Sequence, residues 1–125
     1  MVDHNYFMDI AFDEAQSSAD QGGVGIGAVL VKGQEVITSS GDRTLQNNNP
    51  IAVAEMECIR KAGRRNDQPE LSLYSTRCPD MLTAGTLIQF SIGHLVVAQE
   101  ATASKALSLL ENRGVGITFL GDQSS

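Results

Sequence analysis

The sequence predicts an α/β fold, a three-layer α-β-α sandwich around a mixed five-stranded sheet, formed by one domain over residues 1–125. Three observations predict it. Helical and strand-like periodicities alternate along the chain, and an early pair of strand-like runs is joined by a short turn. A length of 125 residues at 42% hydrophobic composition suits one compact core and leaves no room for a second. Strands alternating with helices after an opening hairpin imply a sheet that is largely parallel at one end, with helices on both faces.

Each element follows from local pattern. Residues 4–20 place Tyr6, Phe7, Ile10, Ala11 and Ala15 near helical spacing and stop at "QGG". "IGAVLVK" (26–32), a turn at Lys32, Gly33 and Gln34, and "EVITSS" (35–40) form the hairpin, and the polar loop "GDRTLQNNNP" follows. The second helix is expected over 51–65, ended by "RRNDQP", and the strand "LSLYST" (71–76) alternates in type. "DMLTAGTLIQFS" (80–91) reads as a third helix and "HLVVAQ" as a buried strand. "TASKALSLLENRG" reads as a fourth helix with Gly114 just past its end, and "VGITFL" as the last strand.

Charge and composition narrow the function. A net charge of -6 and a pI of about 4.7 disfavour attraction to nucleic acid phosphate, and only "RKAGRR" concentrates positive charge. The opening "MVDHNYFMDIAFDEAQ" has acids inside its apolar pattern and no basic start, unlike a secretory leader. No stretch approaches the roughly 20 apolar residues that span a bilayer. The expectation is a cytoplasmic protein without a membrane or nucleic acid partner. Two cysteines, Cys58 and Cys78, are too few for a disulfide framework.

The stretch "PIAVAEMECIRKAGR" (50–64) opens a helix that carries a carboxylate, Glu55, with Val53 two places before it. With "MDIAFDEAQ", "GGVGIGAVLVKGQEVI", "LSLYSTRCPDMLTAGTLIQF" and "HLVVAQE", this stretch resembles, from about residue 8 to 100, the cytosine, guanine and tRNA adenosine deaminase superfamily. The resemblance implies a cytidine deaminase-like fold. Members of that superfamily carry His-x-Glu at the start of the second helix and Pro-Cys-x-x-Cys at the start of the third. The His and two Cys hold zinc, which supplies hydroxide, and the Glu moves protons.

Carried over residue by residue, the pattern keeps the acid and loses the ligands. Glu55 stands at the proton-shuttle position, after Ala54. Val53 stands at the histidine position and has no lone pair for a metal. Pro79 matches, but Asp80 and Thr83 replace the two cysteines, so the expectation is no zinc and no other cofactor. Asp80 and Thr83 with Glu55 offer oxygen ligands suited to magnesium or manganese, but such a site usually needs a substrate phosphate to complete it. Asp80 also follows a proline at a helix start, where a carboxylate caps exposed N–H groups, and Thr83 fills the space of a missing sulfur.

The same resemblance puts Asp42 where cytosine deaminases have a base-binding asparagine, and Gly25 where the family commonly has proline. Asp42, read locally, is also a turn residue. Asp42, Glu55 and Asp80 are expected to converge on one cleft, where crowding raises at least one pKa and favours a general acid or base or a cationic, amino-rich ligand. Val53, Ala54 and Thr83 would line the substrate. Cys58 is expected in the core. Cys78, beside a helix N-terminus, is a candidate nucleophile or redox thiol with no histidine placed to activate it. His4 and His94 are expected to be exposed.

Two functions follow. One is a zinc-independent enzyme that uses Glu55 as acid or base on a small nitrogen heterocycle or amino compound, in tautomerisation, elimination or hydrolysis. The other is a pseudo-deaminase that serves as a nucleobase-binding or regulatory subunit. The resemblance implies a homodimer or higher oligomer built through helices beside the site. The sequence closes on "GITFLGDQSS", where cytosine deaminases carry further helices over the pocket, so the cleft is expected to be open or completed by a partner.

Overall fold

The computed structural model describes residues 3–100 and 103–121. Helix α1 (His4–Asp20) is followed by strands β1 (Gly27–Lys32) and β2 (Glu35–Gly41), helix α2 (Ala54–Ala62), a short 3-10 turn (Gln68–Glu70) and β3 (Leu71–Ser75). Helix α3 (Met81–Gln89), β4 (His94–Val97), α4 (Lys105–Asn112) and β5 (Gly116–Phe119) complete the described chain. The expected start of the fourth helix at Thr102 lies outside the described residues.

The sheet runs in the order β2-β1-β3-β4-β5. β1 is antiparallel to both β2 and β3, whereas β3, β4 and β5 are parallel, so the parallel part lies at one end as the alternation of elements requires. Successive strand residues face opposite sides. Val29, Val31, Tyr74 and Val96 meet Phe7, Met8 and Ala11 of α1 on one face. Ala28, Leu30, Leu71, Leu73, Leu95 and Val97 pack on the other face against Ala54 and Cys58 of α2, Ala84 and Leu87 of α3, and Ala106 and Leu110 of α4. These are the three layers.

Capping sets the helix starts. Asp3, Asp80 and Ser104 each accept a backbone N–H in the first turn of α1, α3 and α4. α2 begins at Ala54 behind Val53, which has no side-chain cap bond. It is shorter than expected because residues 51–53 complete the preceding loop, with the Ala52 N–H bonded to the Asn49 carbonyl at 3.1 Å, and because Gly63 turns the chain at φ +71°. Gly114, at φ +80°, ends α4 as expected.

The two histidines correct the expectation of exposure. Both are half-buried on the α1 side: His4 is 2.7 Å from the Tyr74 hydroxyl and His94 Nε2 is 2.9 Å from Thr118 Oγ1. Among the described residues, no helix is long and apolar enough to cross a membrane.

Candidate functional site

The site lies where β3 ends and the N-termini of α2 and α3 meet. Ser75 follows Leu73 by two, so it faces α2 and α3, and its hydroxyl donates to Glu55 Oε2 at 3.1 Å. Glu55, in the first turn of α2, is 1% exposed. Two residues past Ser75, the chain brings Arg77 over it. Arg77 Nε donates to Glu55 Oε2 at 3.0 Å and Nη2 to Oε1 at 3.3 Å, a side-on pair. The same Nη2 is 3.2 Å from Asp80 Oδ2, while Asp80 Oδ1 accepts the Thr83 N–H at 2.9 Å.

Arg77 overturns the expected electrostatics. Three crowded carboxylates would push at least one pKa up, but the pattern alone did not supply the cation between them. Burial on its own would raise Asp80, but the Thr83 N–H and Arg77 outweigh it and hold Asp80 below the ordinary carboxylate range. Burial opposes the Arg77 charge, and Glu55, Asp80 and Asp42 more than restore it. The sequence places a basic residue three places before Asp80, but nothing local ties Arg77 to Glu55, 22 residues earlier.

Asp42 does not join the pair. It is buried, and its Oδ1 accepts from the Thr44 N–H at 2.9 Å and the Thr44 hydroxyl at 2.6 Å, which makes it a turn residue that acts on Arg77 only through space. Val53 and Ala54 are buried at the start of α2. Thr83 is 1% exposed and its Oγ1 has no hydrogen-bond partner, although it is near enough to Asp80 to favour that group's charged form. Cys58 is core: its thiol donates to the Ala28 carbonyl at 3.3 Å, and burial pushes its pKa up to about 12. Cys78 is half-buried, with its N–H bonded to Gln99 Oε1 at 2.7 Å. Both histidines are engaged elsewhere.

These residues do not fit zinc. A tetrahedral site needs three or four nitrogen, sulfur or carboxylate donors free to converge on one point. Here Val53 offers hydrocarbon, Asp80 has one oxygen on a backbone N–H and the other on Arg77, and a guanidinium stands against Glu55. Among the described residues, no group of three or more His, Cys, Asp or Glu side chains is placed to hold a metal ion. A cavity of about 540 Å³ lies elsewhere, lined by Met56, Ile59, Arg64, Leu71, Phe90 and Ile92 among others.

Residues 1–99 match the cytidine and deoxycytidylate deaminase zinc-binding region. The tRNA-specific adenosine deaminase of Agrobacterium fabrum is 38% identical over 90 residues, which cover 70% of this chain and 59% of that protein. The cytosine deaminase of Candida albicans is 24% identical over 119 residues, 93% of this chain and 79% of that one. The chain therefore spans less than two thirds of the tRNA deaminase and more of the cytosine deaminase. A solved structure from work on A-to-I editing by tRNA:A34 deaminases superposes with a TM-score of 0.71 at 36% identity, covering 75% of each chain.

Proposed function

The chain belongs to the cytidine and deoxycytidylate deaminase family, and from that premise we propose that it works without zinc and does not deaminate nucleobases, serving instead as a pseudo-deaminase, a binding or regulatory subunit of an oligomer. The observation that carries this reading is the side-on Arg77–Glu55 pair on a carboxylate that is 1% exposed. A proton shuttle must change protonation state and reach the reacting atoms. Glu55 has one oxygen on Ser75 and Arg77 and the other on Arg77, so at 1% exposure the carboxylate is covered by its own partners rather than open to a substrate. The hydroxide that a bound zinc would supply has no donor set to form on.

A second reading keeps the enzyme, with Glu55 as acid or base on a small nitrogen heterocycle after Arg77 swings aside. The buried, unpartnered Thr83 hydroxyl favours it, because a ligand would complete that hydrogen bond.

Metal analysis of protein purified from zinc-replete medium, with assays on cytosine, guanine, adenosine and tRNA, tests the first reading. The expected outcome is substoichiometric zinc and no ammonia release, and zinc-dependent turnover would overturn it. If screening of amino-heterocycles finds turnover that Glu55→Gln abolishes while binding survives, the second reading replaces the first.

A further inference from the structure

We propose that Glu55 and Asp80 form a recognition site for a planar guanidinium or amidinium cation, which the chain fills with its own Arg77. This rests on the zinc-free reading and adds the chemical class that the site takes.

Two independent features support it. The first is the bound group: Arg77 presents Nε and Nη2 to the two oxygens of Glu55 at 3.0 and 3.3 Å and uses Nη2 again on Asp80 at 3.2 Å. Two parallel N–H donors on one carboxylate are the signature of a planar fork, and an ammonium, which is a point charge on a tetrahedral nitrogen, does not reproduce it. The second is the unused polar atom beside it, Thr83 Oγ1, fully buried and without a hydrogen-bond partner, in the first turn of the helix that Asp80 caps. The surroundings are preorganised. Ser75 fixes Glu55, and the Thr83 N–H at the start of α3 fixes Asp80.

Because Arg77 is tethered and already seated on both carboxylates, a free ion at millimolar level has to displace an intramolecular partner, so the intact chain is closed to competitors. Removing the side chain back to Cβ leaves the buried Glu55 and the half-exposed Asp80 without their cation. Breaking such a pair lowers a folding constant on the order of 100-fold or more.

Thermal unfolding of Arg77→Ala in millimolar guanidinium chloride, against sodium chloride at equal ionic strength, tests the proposal. The expected result is a lowered midpoint that guanidinium raises and sodium does not, with no such rise in the intact protein or in Arg77→Ala/Glu55→Gln. Equal response to the two salts, or rescue that persists in the double variant, would overturn it. Should Arg77→Ala not fold, the Arg77 Nε–H signal decides in the intact protein: slow exchange with solvent, lost in Glu55→Gln, is expected, and fast exchange in the intact protein overturns the site. Metal analysis of the same samples separates the two failures, since stoichiometric zinc removes both readings and absent rescue in zinc-free protein removes only this one.

Discussion

At position 77 a guanidinium stands between Glu55 and Asp80, and any attempt to give the chain a zinc site meets it first. Val53→His, Asp80→Cys and Thr83→Cys together restore the donor types that the deaminase motif requires. With Arg77 retained, a fixed positive charge opposes the incoming ion, and zinc titration should show weak or no binding. Adding Arg77→Leu should raise affinity by at least about tenfold, corresponding to roughly 1.4 kcal/mol. Equal zinc affinity with and without Arg77 would show that the guanidinium does not govern the site. The assignment of Val53, Asp80 and Thr83 to the ligand positions rests on the gapless resemblance alone, and the structure adds that Val53 and Thr83 are buried and that Asp80 caps α3. Arg77 was not legible, because the position carries no motif residue and its role arises only when β3 delivers it to the first turn of α2. Asp42 was legible as a turn residue for the opposite reason: its partner, Thr44, is two places away in sequence.

Among the elements, α1 docks on the sheet through two glycines. A Cβ at Gly27 would collide with the Ala11 carbonyl and the Ala15 amide of α1, and one at Gly41 would collide with the Glu14 carbonyl. Gly25, by contrast, has room, since its added Cβ would meet Ala19 Cβ at 3.6 Å. Gly27→Ala should therefore destabilise by about 1–3 kcal/mol through overpacking, while Gly25→Ala should be neutral or stabilising by up to about 1 kcal/mol. Denaturant unfolding of the two variants checks this, and a tolerated Gly27→Ala would mean that α1 slides freely. Periodicity made the helices and strands readable to within a few residues because each buries one face. The close approach at Gly27 was not readable, because nothing local in "GIGAV" says which helix passes over it.

For the whole molecule, acid acts through groups at opposite faces of the sheet. Burial first, and His4 second, hold His94 below its ordinary pKa, so the unfolded chain binds a proton there that the folded chain resists. Stability should fall as pH drops from above about 6.5 through the folded value, with His94→Gln flattening the slope. Asp80 is also held low, so its contribution is present above about 3.9 and is lost further into acid, as pH falls through its folded value. Urea midpoints between neutral pH and mild acid measure the first step, and a flat profile for the intact protein would refute the His94 assignment.

The arginine in the cleft has a consequence for biogenesis. Domains that fold around a captured ion wait on its supply, and starvation or chelation leaves them unfinished. Here the counter-ion is translated with the polypeptide, three residues ahead of the acid it pairs with, so the centre is complete as soon as the sheet closes. On the zinc-free reading proposed above, the protein would mature at the same yield in a zinc-starved cell as in a replete one.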